Sequence, residues 1–506
     1  MKTKFFTIDK LINKIRPNSK NNIKIGLSHG VFDLLHLGHI KHFKEAKKNC
    51  DLLIVSVTAD QFVNKGPNRP AFNQYQRIEA LEALDVIDYI VLSNNVSSKF
   101  IISKIKPNIY FKGPDYKNNN DDLTKKIYLE KKEVQKYGGK IFYTKDEKFS
   151  SSSLIKNYFG IFNQNQIKEL TKLKSRFDLD LIKKILTKIE NLRPLIIGEA
   201  IIDQYHFTET LGKSGKEPVL VLKELYHEKY LGGALAVCRH LNTFIKKMYF
   251  LSYLGEKKEF EKFIKSNLSK NIHSKFIYKK NSPTILKKRF VDKLTNAKAL
   301  GAYQLNDEFL NFANSKKLYQ YFNNLNKKSD LIIISDYGHG LLDKKSIQKI
   351  KKTKKFIAVN VQVNSSNIGY HSLKNFNGVD CVIINENELR YEMRSKNEKI
   401  EFLMKKLIKE MNLKNLIVTR GSSGVVMLTK KLKFYKCQAY AGKIVDKIGT
   451  GDAMIAILAL LLFSKVDPEL SLFIASLCAS QKISFIGNKL SIDKNILLKE
   501  AEHLID

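Results

Sequence analysis

Acidic residues are the first shortage in this chain: 50 Asp and Glu stand against 88 Lys and Arg in 506 residues, a formal net charge of +38. A surplus of that size raises the question of nucleic acid. The basic residues, however, are spread through the whole chain, mostly as Lys beside Asn and Ile, and no basic block interleaves with aromatics. The expectation is therefore no nucleic-acid partner but a general attraction for anionic small molecules. Cysteine is scarce too. Cys50, Cys238, Cys381, Cys437 and Cys478 are odd in number, far apart and without a C-x-x-C pair, which argues against disulfides and structural zinc. No apolar run has the length and flanks of a membrane span. Residues 1–16 are basic and mixed, without the uninterrupted apolar segment of a secretory signal, so a cytoplasmic protein with no membrane association is expected. Low-complexity tracts and internal repeats are lacking as well.

What is present exceeds one ordinary core. At 506 residues and 43% hydrophobic composition, two or more globular domains are expected. Near the N-terminus a short apolar strand, 23–27, runs into Ser28-His29-Gly30-Val31-Phe32-Asp33-Leu34-Leu35-His36-Leu37-Gly38-His39-Ile40. A helix follows with Phe43 and Ala46 on one face, and 52–57 reads as a second strand. Strand, loop, helix, strand opens a parallel βαβ unit, where ligands sit at the carboxyl ends of the strands. In His36-x-Gly38-His39 the glycine permits a tight turn that brings two imidazoles to one ligand at a helix start. Such donors suit the charge that builds on an α-phosphate under attack. Zinc fits less well, because no third Cys or His stands nearby at ligand spacing.

The second concentration of chemistry lies near the other end, in Asp446-Lys447-Ile448-Gly449-Thr450-Gly451-Asp452-Ala453. It opens an apolar run that reads as a buried helix. Two glycines at a helix start leave backbone N–H groups that, with the helix dipole, seat anionic oxygens. Asp452 is placed to take a proton from a hydroxyl attacking a phosphate there. Between the two concentrations, 164–191 is polar and Lys-rich with helical spacing of Leu170, Leu173, Phe177, Leu181 and Ile185, which predicts a connecting helix or the first helix of the next domain. Strands are then predicted at 194–198, 331–335, 356–361, 381–384 and 416–419, with alternating strand-like stretches at 216–225 and 274–291 and a helix opening after Leu231-Gly232-Gly233. That alternation predicts a doubly wound α/β domain with a small β-sheet lid.

The motifs carry two family resemblances. The stretch from Gly26 to Asp60 resembles the H-x-G-H nucleotidylyltransferases, close to cytidylyltransferases and sugar-phosphate adenylyltransferases. Lys65-Gly66-Pro67-Asn68-Arg69-Pro70 resembles the family's flexible phosphate loop, and Arg77 heads the next helix. Lys112-Gly113-Pro114-Asp115-Tyr116 resembles the K-G-x-D-Y turn, and Ser150-Ser151-Ser152-Ser153 the S-[ST]-[ST] motif. The resemblance implies a Rossmann-like domain over 1–160 that joins ATP or CTP to a phosphorylated substrate and releases pyrophosphate. His36 and His39 would stabilise the α-phosphate and Lys65 with Arg69 would clamp the leaving pyrophosphate. Gly30, Phe32, Arg77, Lys112, Ser151 and Ser152 would complete the nucleotide and phosphate contacts.

After a helical linker over 161–191, residues 192–506 resemble the ribokinase family of carbohydrate kinases. Gly232-Gly233 resembles its sugar-binding double glycine and Asp203 its sugar-hydroxyl partner; Asn385-x-x-Glu388 matches N-x-x-E, and Thr419-Arg420-Gly421-x-x-Gly424 resembles the nucleotide-side turn. Gly449-x-Gly451-Asp452 matches the anion hole and catalytic base. Ser335-Asp336-Tyr337-Gly338-x-Gly340, Ser282-Pro283-Thr284-x-x-Lys287 and Glu217-Pro218-Val219 most resemble the heptose-7-phosphate kinases. The resemblance implies ATP, Mg²⁺ organised indirectly through Asn385 and Glu388, room for a monovalent cation, and Asp336, Lys287 and Arg289 at the substrate, the last two on an existing sugar phosphate. A homodimer through the β-lid is usual for these kinases. Together the halves resemble the bifunctional heptose kinase/adenylyltransferases in reversed order, with Ala236 and Asn360 in place of the family's Asn and Asp. The expected function is phosphorylation of a sugar or sugar phosphate and nucleotidyl transfer to a sugar 1-phosphate. The Phe32-Asp33-Leu34-Leu35-His36 spelling also fits cytidylyltransferases of polyol or amino-alcohol phosphates. A non-catalytic binding protein is the third reading, against which Asp452, His36 and His39 argue.

Overall fold

A computed structural model describes residues 3–15, 23–63, 70–95, 97–113, 126–144, 162–364, 367, 370–441, 445–446 and 448–505. They fall into two compact units, one within 1–167 joined by 498–504, the other within 168–497. No helix among the described residues is long and apolar enough to cross a membrane.

The N-terminal unit is built on a parallel sheet of β1 (Phe5–Phe6), β2 (Ile25–Gly30), β3 (Leu52–Thr58), β4 (Tyr89–Ser93), β5 (Ile109–Lys112) and β6 (Lys140–Tyr143), in the order β1-β4-β3-β2-β5-β6. Adjacent residues of a strand face opposite sides of a sheet. Accordingly Val55 packs with Phe43 and Ala46 of the helix Leu37–Lys48 on one face, while Ile54 packs with Ile101 and Ile102 on the other. The order reverses at β2, whose neighbours are β3 and β5. In an open α/β sheet, the carboxyl end of the strand at such a switch point is where ligands bind.

The second unit holds a nine-stranded sheet. Its strands are β7 (Pro194–Gly198), β10 (Met248–Gly255), β11 (Ile272–Lys279), β14 (Leu331–Asp336), β15 (Phe356–Val361), β16 (Cys381–Asn385), β17 (Asn415–Thr419), β18 (Val425–Thr429) and β19 (Phe434–Cys437), in the order β11-β10-β7-β14-β15-β16-β17-β18-β19. Pairing is parallel as far as β17 and antiparallel beyond it. Strands covered on both faces must be apolar throughout, and β14 is buried along its whole length. The helix Thr450–Phe463 packs against β14, β15, β16 and the helices Ala234–Leu241 and Pro468–Ile483. Enclosed on all sides, it is apolar all round.

A separate four-stranded sheet is the lid, ordered β13-β12-β8-β9, with β8 (Ala200–Lys213), β9 (Leu220–Gly233), β12 (Ile285–Asp292) and β13 (Lys298–Gln304). The sequence placed its strands incompletely. The expected stretch 274–291 is divided: its first part is β11 at the edge of the large sheet, and only β12 joins the lid. β9 also runs on through Gly232-Gly233 instead of ending ahead of them. In the linker, Asp178 caps the helix Leu179–Ile189 and resets its phase, so Ile182, Leu186 and Ile189 are buried while the expected Leu181 is exposed.

Gly198 ends β7 beside Ser335 of β14, and a Cβ there would lie 2.1 Å from the Ser335 carbonyl oxygen and 2.8 Å from the Ala234 Cβ. Gly198→Ala should destabilise the second unit by about 1–3 kcal/mol in chemical denaturation. Gly215→Ala, where a Cβ meets nothing within 4 Å, should stay within about 0.5 kcal/mol of the parent.

Candidate functional site

In the second unit the site is assembled around the start of the helix Thr450–Phe463. Gly449 is its N-cap in the left-handed region at φ +83° and brings no side chain to cap the first turn. A Cβ on Gly449 would approach Asn488 Oδ1 to 2.4 Å, so both the turn and the packing require glycine. Asp452 is buried in that first turn and its Oδ1 accepts a 2.7 Å hydrogen bond from the Tyr337 hydroxyl. Burial pushes its carboxyl up to about 6; the Tyr337 bond and the cations Lys482 and Lys287 oppose the rise, and the charge of Asp203 adds to it.

Tyr337 is positioned by a residue the motif reading missed. Glu199, immediately after β7 and fully buried, accepts the backbone N–H of Tyr337 at 2.9 Å and of His339 at 3.1 Å. One carboxylate thus folds the Asp336–Gly340 turn. Asp336 is directed into the same turn, accepting Gly338 N at 3.0 Å with His371 Nε2 3.3 Å from its other oxygen.

Asp203 on β8 forms an ion pair with Arg289 of β12, and its other oxygen takes a 3.3 Å bond from Asn488 Nδ2. It lies over Gly232, where a Cβ would come within 2.1 Å of the carboxylate; Gly233 follows and caps the helix Ala234–Leu241. Lys287 is in register with Asp203 across the β12–β8 ladder, with Nζ 5.4 Å from the Tyr337 ring centroid. Burial lowers its ammonium below the usual lysine range. Lys287 and Arg289 therefore share one strand face beside Asp203, but the Arg289 guanidinium is committed to that carboxylate. The sequence reading missed Lys482 and gave Asp446, at the head of the glycine motif, no role of its own. Lys482 is buried with Nζ donating to Gly487 O at 2.6 Å, and Asp446 accepts from Lys298 Nζ at 2.6 Å, Gly487 N at 2.9 Å and the Tyr205 hydroxyl at 3.2 Å. Burial raises the Asp446 carboxyl, but Lys298 and the amide donors outweigh it and hold the group below the usual carboxylate range.

On the neighbouring strand ends, Asn385 caps the helix Glu386–Glu392. Its Oδ1 accepts Glu388 N at 2.9 Å, and Glu388 Oε2 accepts Asn385 N at 2.8 Å, a reciprocal capping box. The Glu388 carboxyl is pushed up to about 7 by burial, with the Asp452 charge adding to it. A buried carboxylate raised in part by a second one fits a hard dication, which prefers oxygen ligands. Thr419 ends β17, and Gly421, at φ +56°, opens the turn closed by Arg420 N donating to Gly424 O at 2.8 Å.

In the first unit the loop after Gly30 of β2 carries Phe32 and Leu34 at φ +50° and +51°. His36 caps the helix Leu37–Lys48, its Nδ1 accepting Gly38 N at 3.1 Å. The His36 and His39 rings stack at 3.9 Å, and the Phe32 ring meets His39 edge-on at 5.7 Å. His42, one helical turn further on, was overlooked although the His-x-x-His spacing continues to it. It is held between Ser28 Oγ at 2.7 Å and Thr144 Oγ1 at 3.0 Å, its pKa pulled down to about 4 by burial with Lys112 adding. Lys112 itself ion-pairs with Glu130 at 2.8 Å. Arg77 departs from expectation. Its buried guanidinium donates to Phe72 O at 3.1 Å, Thr58 O and Asp60 Oδ1 at 2.8 and 2.6 Å, and to Val31 O, so it clamps the loops around the site instead of presenting a charge to phosphate. Lys65, Arg69, Ser151 and Ser152 lie outside the described residues.

Comparison with known proteins agrees with this architecture. Residues 193–495 match the family described as pfkB family carbohydrate kinase, and residues 27–158 match the cytidylyltransferase-like family. The bifunctional protein HldE of Campylobacter jejuni (strain RM1221) is 26% identical over 297 residues, 58% of this chain and 61% of that protein. Its namesake from Geobacter metallireducens is 34% identical over 140 residues, 27% of each chain. The chain thus spans about three fifths of the length of the first of these relatives. The structure of ribokinase from Giardia lamblia superposes with a TM-score of 0.50 at 15% identity, over 62% of this chain and 100% of that one, which shows the shared fold. With its kinase match covering residues 193–495, the chain belongs to the pfkB family of carbohydrate kinases, preceded here by a cytidylyltransferase-like domain.

Proposed function

We propose that the chain is a bifunctional sugar-activating enzyme, with a nucleotidylyltransferase domain over 1–160, a helical linker over 161–191 and a carbohydrate kinase domain over 192–506. The observation that carries the kinase half is Asp452, buried in the first turn of a helix that opens on Gly449, held by Tyr337 and raised to about 6. A carboxylate so raised is a better base for a hydroxyl than an exposed one, yet ionised at neutral pH. Asp452 takes the proton of a sugar hydroxyl as that oxygen attacks the γ-phosphoryl of ATP. Amides at the Gly449–Gly451 helix start stabilise the transferring group. Asp203 and the Gly232-Gly233 backbone orient the acceptor. Lys287 supplies a cation beside it, which favours a substrate already bearing a phosphate. Asn385 and Glu388 would organise a magnesium ion, which when bound would neutralise phosphate charge. In the first domain His36 and His39, stacked at a helix start beside the sheet's switch point, meet the α-phosphate of ATP or CTP while a sugar 1-phosphate displaces pyrophosphate. The relatives named bifunctional protein HldE support the pairing of two activities, and the resemblance of Ser335-Asp336-Tyr337-Gly338-x-Gly340 to the heptose-7-phosphate kinases favours a heptose-like substrate.

Asp452→Asn should lower ADP production from ATP and a sugar phosphate by about 10²–10⁴-fold, while pyrophosphate release from a sugar 1-phosphate persists. His39→Ala should do the reverse. Both activities surviving both substitutions would refute the assignments. The kinase rate should also titrate. A base acts ionised, so the rate should fall about tenfold per pH unit below the carboxyl's value near 6 and level off above it. The Tyr337 hydroxyl favours the ionised form, and Tyr337→Phe should move this limb to higher pH. A limb that stays in place would mean that another group governs the rate.

A further inference from the structure

The lid carries a side-chain cluster that neither reaction uses. His206 on β8 and His227 on β9 are paired directly across the antiparallel ladder, their rings 5.3 Å apart. Glu224 comes three residues before His227, and on a regular strand residues an odd number apart point to opposite faces. The ladder is not regular there. Phe207 pairs with Tyr226 and Thr208 with Glu224, leaving Leu225 as the extra residue of a bulge. One inserted residue shifts the alternation by a step, so Glu224 emerges on the face that bears both imidazoles.

The result is a compact donor set. His206 Nδ1 lies 2.9 Å and His227 Nδ1 3.1 Å from the same oxygen, Glu224 Oε1. The candidate ligand atoms of these residues all fall within 4.8 Å of one another. The buried His206 Nδ1, although close to that oxygen, is not aligned for a hydrogen bond to it or to another described group. Two imidazole nitrogens and one carboxylate oxygen are the protein ligands of open tetrahedral zinc sites, with water in the fourth position. Gln204 stands 3.0 Å from His206 Nε2. The contacting atom is the Gln204 amide nitrogen; with that amide turned end for end its oxygen faces the ring nitrogen, keeping the proton on Nε2 and the lone pair on Nδ1, the outer-shell role that fixes a ligand's tautomer. The Phe290 ring stacks on His206 at 4.7 Å and shields its flank. We propose that His206, Glu224 and His227 bind a zinc-class divalent cation that pins β8 to β9 at the lid's bulge. Imidazole ligands separate it from magnesium, which favours oxygen donors.

The test uses the full chain carrying His39→Ala, which dismantles the other close pair of histidines, after treatment with a chelator. Titration with Zn²⁺ alone should show one equivalent bound per chain, and Co²⁺ should give the visible absorption of a four-coordinate site. His227 and Glu224 are exposed, with side-chain accessibilities of 44% and 43%, so replacing them leaves the packing intact. Adding His227→Ala or Glu224→Ala should weaken that equivalent at least as much as the roughly 10–100-fold that loss of an outer-shell partner costs. Zinc should raise the melting midpoint of the parent and not of the Glu224→Ala chain. Unchanged zinc affinity in both variants, or parent binding weaker than about 1 µM, overturns the proposal.

Discussion

A carboxylate taken out of water must find donors inside the protein or give up its charge. The kinase domain buries several of them around one helix start, and each is met differently. Glu199 faces backbone N–H groups, Asp203 an arginine, and Asp446 a lysine with two backbone amides. Asp452 receives a tyrosine hydroxyl. This inequality divides the labour. Lys298 and the amide donors hold the Asp446 carboxyl below the usual range, whereas burial pushes Asp452 up to about 6 and Glu199, with Asp336 beside it, up to about 7. Of these two raised groups Asp452 stands in the first turn of the helix and Glu199 folds the Asp336–Gly340 turn. The turn after β14 connects the two, because the backbone amide of Tyr337 goes to Glu199 and its hydroxyl to Asp452.

The cytidylyltransferase-like domain meets a related problem with cations and neutral rings. Its guanidinium, Arg77, is buried and saturated by loop carbonyls and Asp60, so it fixes the walls of the site. The stacked His36 and His39 then stand at the helix start as rings whose orientation is set by Gly38 N and Phe32. The chemistry itself rests on a few side chains held by local geometry.

Much of this was readable from residue order because it is local. Strands Pro194–Gly198 and Phe356–Val361 match their predicted limits, since short apolar runs between turn residues leave few alternatives. Glycines at a helix start and His-x-Gly-His are likewise short-range patterns. What stayed illegible is non-local. Glu199 acts on Tyr337 across 138 positions of sequence, and Asn488 on Asp203 across 285. Nothing in the neighbourhood of either residue announces its partner. Arg77 misled for the same reason: a cation that follows a phosphate-loop resemblance reads as a phosphate contact until the carbonyls of distant loops close around it. Lys482 sits in an apolar helix that gives no sign of the carboxylates near its end.

Lys298 belongs to β13, the outer strand of the lid, yet its ammonium is bonded to Asp446, just ahead of the Gly449 turn. Asp446 also holds Ile448 N at 3.1 Å. Lifting the lid would therefore strip a buried carboxylate of its counter-charge at the residues that shape the anion seat. The outer strand of the lid and the segment that shapes the anion seat thus share one ion pair, while Gly487 N, Ile448 N and the Tyr205 hydroxyl hold Asp446 from its own side.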